Sequence, residues 1–518
     1  MTIFGKTRVS RSTKLFLNLS YQKNASQPIM STALILVNTL DQYVPSASKP
    51  WNAARVQHLY QSLGFGASPA QIQQGLAMQP ADLVDLLIDN VLNLPAPEVP
   101  YWGNWLTDDY PDDNPDLYFQ VKREFNSRWL REMATEGVRA KLALFWHNHF
   151  VAEEEVYYYN SFMWSYYDLI HRNVLGNFRD FVEAMGKNPA MLIYLNGAIN
   201  VAGEPNENYA RELMELFTMG ESNGYTQNDI VEVARALTGW RVYYDGNNTS
   251  YFNPALHDDG NKTIFGLTGT WSYNHVHDLI FNLRKDQVAQ YISSKIYRHF
   301  VYDKPDELII SGMAQTFKDN NWELAPVFRQ LFKSEHFFEA RFMNARIKSP
   351  TECLLGLFPM CGMSYPDDYN DEVMNYTGYA SFELGQDVFN PVDVAGWPGH
   401  HAWLNENTLT SRWNFLGGIL FYYFGNSDNA RAKLQQLAIA LTAPDETDPE
   451  VVTRAIVGHF LKRDLEPRLL DTALQYFKGE IPENYFEQGI WNLYYNEVPD
   501  QVINLLYYIS KLPEWQVA

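Results

Sequence analysis

Two histidines one residue apart, His147 and His149 in "KLALFWHNHFV", are the side chains of this sequence best suited to chemistry. Imidazole ligates borderline divalent metals and titrates near neutral pH, so the pair fits either a metal centre or proton transfer. Geometry decides what the two can share. On an α-helix residues i and i+2 lie about 200° apart and cannot both reach one ion, whereas on an extended segment they share a face. A site built on both rings therefore requires the helix to end near His147. The bland alternative is one histidine packed against a backbone carbonyl and the other solvated.

Three further groups of titratable residues accompany them. In "EPNENYARELMELFTMG", Tyr209, Leu213, Leu216 and Phe217 make an apolar helical stripe with Glu212 on its edge. A carboxylate at a core boundary must be paired, protonated or metal-bound. Arg211 lies on the opposite side, four residues from both Glu207 and Glu215, where it forms ion pairs. In "HDDGNKT", His257, Asp258, Asp259 and Lys262 crowd an Asp-Gly turn; Asx-turn chemistry accounts for the aspartates but not for His257 or Lys262. The loop "NPVDVAGWPGHHAW" gathers Trp397, His400, His401 and Trp403. Aromatics in such a loop either form a platform for a sugar or other flat-faced ligand, or pin the loop by packing.

The elements that must hold these residues read as helices. Ordered structure is expected from about Pro50, with helical spacing in "AARVQHLYQSLGFG", a helix capped by Ser68, and helical patterning from about Leu117 through His149. Thr226 and Asp229 make a capping box for a helix stopped by Gly239. From 241 to 276 the pattern breaks into turn pairs and short aromatic runs, a small hairpin or long loop, and 365–405 also reads as loop. After Leu409 the chain is helical almost to its end. The expected fold is mostly α, one large multi-helix domain over 51–518, with a helical C-terminal subdomain from about 409 as an option.

Composition removes several classes. A net charge of −21 over 518 residues argues against nucleic acid and anionic membrane as partners. No apolar run reaches about 18 residues, so a transmembrane segment is not expected. Cys353 and Cys361 alone supply no disulfide framework and no cysteine-rich zinc site; they read as buried thiols. Residues 1–50 begin with an acid-free basic stretch, either a disordered arm or a weak targeting segment. There is no HExxH, GxSxG, Walker A or helix-opening GxGxxG.

Taken in order, "LALFWHNHF", "NPAMLIYLNG", "PNENYARELMELFTMG", "GYTQNDIVEVARALTGW", "HDDGNKTIFG", "KSPTECLLG", "FNPVDVAGWPG" and "SRWNFLGG" resemble the bacterial domain of unknown function 1800 family. The resemblance runs from about residue 52 to near the C-terminus. It implies export to the envelope or periplasm, a partner from a neighbouring phosphatase- or sulfatase-like family, and motif positions that include Asn208, Arg211 and Trp240. The resulting expectation is an enzyme of hydrolase or lyase type acting on an envelope glycan or related polymer. Glu212, His257, Asp258 and Lys262 would be catalytic, and His147 and His149 would hold a divalent metal ion. Asn208, Arg211, Trp240, Trp397, His400 and Trp403 would contact the ligand. The alternative is a non-catalytic binding or assembly protein for a surface polymer or a partner protein.

Overall fold

The computed structural model describes residues 39–518 apart from 112, 115 and 245–248. The basic stretch at the start of the sequence thus lies, up to residue 38, outside the described residues. Helices take 59% of the described residues, with four short strands among them, which is the mostly α architecture expected. Local sequence explains many of the helix starts. Asn52 caps Ala53–Leu63, Ser68 and Gln71 form a capping box on Pro69–Leu76, and Thr226 and Asp229 form the one read from the sequence on Gln227–Ala236. Each satisfies backbone N–H groups that the first helical turn leaves unbonded.

Residues Asn38–Ala518 form one compact unit. Ala53–Leu63 packs on both Val138–His147 and Pro449–Leu461, so the C-terminal helices share a core with the N-terminal ones. Leu117–Thr135 lies along Asp371–Glu383, and Lys285–Phe300 along Glu307–Asp319. Fully buried Trp129, Trp146, Trp491 and Trp515 fill the interior. Within the expected 241–276 region, β1 (Trp240–Val242) pairs antiparallel with β2 (Ser250–Phe252), and β3 (Lys262–Ile264) pairs with β4 (Leu267–Gly269). Cys353 and Cys361 are free and buried. No helix among the described residues is long and apolar enough to cross a membrane.

Two boundaries differ from the sequence reading. Packed chain begins before Pro50: Tyr43 is buried against Phe338, its N–H donates to the Lys333 carbonyl at 2.8 Å, and Lys49 pairs with Glu335 at 2.7 Å. A polar stretch held mainly by distant residues carries no local pattern. The supposed loop 365–405 contains a helix, Asp371–Glu383, started by Asn370. Its sequence, "DEVMNYTGYASFE", mixes apolar and polar residues too evenly to show a stripe.

Candidate functional site

The Val138–His147 helix ends where the two-histidine site required, at His147 with Asn148 as C-cap. The two rings nevertheless go to different places. His147 Nδ1 lies 2.7 Å from the Tyr166 hydroxyl, which gives its own proton to the Phe150 carbonyl at 2.7 Å. Nδ1 must therefore carry the imidazole proton. Nε2 accepts the Phe389 N–H at 3.2 Å. Both nitrogens are thus occupied, and burial holds the ring neutral with its pKa drawn down to about 3. His149 Nε2 meets the Phe217 carbonyl at 3.1 Å, on the π-helical turn Leu213–Thr218, and burial, then Lys295, holds its pKa well below the usual range.

This geometry does not turn the two rings toward one point: His147 has no free lone pair, and the rings are bonded to separate elements. Among the described residues no group of three or more His, Cys, Asp or Glu side chains is arranged to hold a metal ion. The expectation of a solvated partner fails, since His147 and His149 are both buried.

What the motif holds is the loop after Asp371–Glu383. His147 takes the Phe389 N–H, Glu154 N–H donates to the Phe389 carbonyl at 3.0 Å, and Asn148 Oδ1 accepts the Trp397 N–H at 2.6 Å. Gly396 stands at φ 88°, and a Cβ there would collide with Asn148 Oδ1 and its carbonyl oxygen. Only glycine permits so close an approach in that conformation.

Beneath the clasped loop lies a cavity of about 60 Å³, room for a few waters or one oxyanion-sized group. Trp397, His400 and Trp403, all singled out from the sequence, line it together with Asn148, His299 and Gln386. Lys141, Arg346 and Glu352 complete the wall. The Glu352 carboxylate is spoken for: it pairs with Lys141, accepts from Arg346 Nη2 at 3.1 Å and from the Ser349 N–H at 2.7 Å. Burial opposes the Glu352 charge, but Lys141 and Arg346 hold its carboxyl well below the ordinary range. Gln386 Oε1 accepts from both the Thr351 N–H and hydroxyl, so its amide NH₂ remains to donate. The indole N–H of Trp397 is buried without a hydrogen-bond partner among the described residues.

Behind this wall further basic side chains are buried. Arg412 is fully buried, Lys348 places its ammonium 3.7 Å from the Trp515 ring centroid, and Lys462 Nζ is buried without a hydrogen-bond partner among the described residues. Burial draws Lys141 and Lys348 down to about 8 and Lys462 well below its usual value, with Lys348 and Arg346 adding to the last shift. At the wall itself two buried basic side chains, Lys141 and Arg346, thus face one carboxylate that both already hold, and Gln386 and Trp397 add donors unpaired among the described residues. Such an arrangement suits an anion.

The remaining predicted residues sit elsewhere. Glu212 is half-buried at the junction of Asn208–Glu212 with the π-helical turn, its carboxyl raised by burial and then by Glu215. Arg211 is a surface pair partner as expected, 3.0 Å from Glu207 and 3.3 Å from Glu215. Asn208 donates its N–H to Asn206 Oδ1 at 3.0 Å in the same turn. Trp240 packs on Tyr273 and Phe252, with the Lys187 ammonium 5.4 Å from its ring centroid.

The His257 group is a fastener. Asp258 holds Arg235 through Oδ2 at 2.8 Å and Oδ1 at 3.2 Å, and Arg235 lowers its carboxyl pKa. His257 Nδ1–H donates to the Thr238 carbonyl at 2.9 Å. Lys262, buried in β3, donates its ammonium to the Asp258 carbonyl and, at 2.9 Å, to that of Gly260. The loop is thereby tied to Gln227–Ala236, which accounts for the two residues that turn chemistry alone left unexplained.

The sequence reading missed Lys141, His299, Arg346, Glu352 and Gln386. A signal existed for one of them: Lys141 interrupts an otherwise apolar helix face in "KLALFW". Glu352 was masked by its local role as the third residue of a capping box with Ser349.

A family model described as "Protein of unknown function (DUF1800)" matches residues 58–517. No curated protein and no solved structure matches the chain.

Proposed function

The chain belongs to the DUF1800 family of proteins of unknown function, and from that premise we propose that it recognises an anionic group on an envelope glycan or related polymer. The observation that carries this reading is the donor-lined pocket, where buried basic residues outnumber the single carboxylate and that carboxylate is already paired. A carboxylate, phosphate or sulfate of the polymer enters under the clasped loop, and Trp397 and Trp403 exclude water around it. Desolvated charge-assisted hydrogen bonds then supply orientation and affinity. Export and a partner from a phosphatase- or sulfatase-like family belong to the same reading and rest on the family resemblance alone.

The enzymatic reading keeps one supporting feature. His400 is half-buried at the pocket wall, and Asp303 favours its protonated form against the burial that lowers its pKa. It is the group there able to move a proton. Holding is better supported than turnover, because Glu352 is locked in ion pairs and cannot serve as a base.

Thermal melts in sulfate or phosphate, against chloride at equal ionic strength, test the pocket. The expected result is a midpoint that rises with oxyanion concentration, as mass action requires, and a rise that is lost in Gln386→Leu and in Lys141→Met/Glu352→Gln. Equal midpoints in oxyanion and chloride would sink the proposal.

A further inference from the structure

Two clefts open against the first turns of the Leu117–Thr135 helix, away from the pocket. One, of about 460 Å³, is lined by Trp105, Tyr110, Tyr118, Phe119, Tyr158 and Tyr159. The other, of about 480 Å³, brings Tyr379 and Phe382 together with Gln120, Arg123, Glu124 and Asp387. Four of these rings are unusually open to solvent: Phe119 is 55% exposed, Tyr158 64%, Tyr379 56% and Phe382 55%. Large aromatics clustered at the surface mark a binding face more often than a packing defect. The first cleft is stiffened from below, because Tyr110 packs edge-on to Trp105 with centroids 5.2 Å apart and its hydroxyl accepts from Asn160 at 2.8 Å.

The polar groups say what kind of ligand fits. An apolar partner would not be met by two carboxylates, a guanidinium and three primary amides in one cleft. A sugar ring would: its C–H face stacks on an aromatic ring while its hydroxyls bond to planar carboxylate, amide and guanidinium groups. Asn126, at the wall of the second cleft, has its Oδ1 buried without a partner among the described residues. Charge narrows the class further. Glu124 and Asp387 outnumber Arg123 in the second cleft, and Asp108, Asp109 and Asp116 lie beside the first in sequence, so an acidic sugar is disfavoured there.

Phe119, in the first cleft, and Arg123, in the second, are four residues apart on one helix face. That separation is about 6 Å of helix rise, the scale of one sugar ring. We propose that the two clefts are successive subsites for uncharged sugar rings of a single oligosaccharide crossing the helix between Phe119 and Arg123. The inference does not depend on the anion pocket, whose ligand chemistry is the opposite.

The test is titration calorimetry of the full chain with neutral hexasaccharides of β-1,4-linked N-acetylglucosamine, β-1,4-linked glucose and α-1,4-linked glucose, and with the matching disaccharides. At least one hexasaccharide is expected to bind. Phe119→Ala, Tyr379→Ala and Phe382→Ala should each weaken it by about fivefold to tenfold, the loss of one stacking contact. These side chains are exposed, so unchanged melting midpoints would confirm intact folding, and Phe382→Trp should restore binding. A disaccharide should respond to variants of one cleft only. Binding of none of the three hexasaccharides overturns the proposal, as does binding that survives Tyr379→Ala/Phe382→Ala, or replacement of sugar binding by Phe119-dependent binding of an amphipathic peptide. Oxyanion stabilisation of the same variants reports on the pocket separately.

Discussion

His147 acts on the fold through hydrogen bonds to residues far apart in the chain. Its substitution by Ala strands the Phe389 N–H, 242 residues away, and leaves a void beside Trp129. A loss of about 2–4 kcal/mol in urea melts is expected, from an unsatisfied buried donor and a cavity. Arg211→Ala should differ sharply. Its ion pairs with Glu207 and Glu215 are partly exposed and belong to one helix, so about 1 kcal/mol or less should be lost. Equal losses for the two variants would contradict this assignment of roles. From the sequence, a stop near His147 was a condition of a two-histidine site, and the helix does stop there. Nothing in the sequence showed what lay opposite, because Phe389 is an ordinary apolar residue whose contribution is a backbone N–H.

At the scale of elements, Lys262 ties β3 and its loop by donating to two backbone carbonyls. Lys262→Met keeps the buried stem but removes both bonds, so amide exchange should accelerate across 257–269 and stay unchanged in Leu117–Thr135. Uniform acceleration would show that the loop is part of the global core. The same contrast governs how much could be read in advance. Capping boxes such as Thr226 with Asp229 are local chemistry and were legible. The pocket under the clasped loop was not, because Lys141, Arg346 and Gln386 come from three separate segments, and only Lys141 stands out in its own. Trp397, His400 and Trp403 were legible as a group because one short loop carries all three.

For the whole molecule, neutral buried histidines set the response to acid. His147 and His171 are drawn to about 3, His277 and His459 to about 4, and His58, His149 and His299 well below the usual value, in each case first by burial. Between those values and about 6.5 the unfolded chain binds more protons than the folded one. Stability is therefore complete above about pH 6.5 and lost as pH falls, at up to about 1.4 kcal/mol per histidine per pH unit. Raised carboxyls, Asp387 at about 6 with Glu132, Glu154 and Glu212, work in the opposite sense but are fewer. Urea midpoints should thus fall steeply from pH 6.5 to 5; a flat or rising series would mean that these rings are solvated. The clasped loop has a consequence on the same scale. It gives Asp387 to the proposed sugar cleft and Trp397 to the proposed anion pocket, with Phe389 pinned between them. Two such ligands, bound together, would press on one stretch of backbone, and by reciprocity whatever factor an anion imposed on sugar affinity the sugar would impose on the anion.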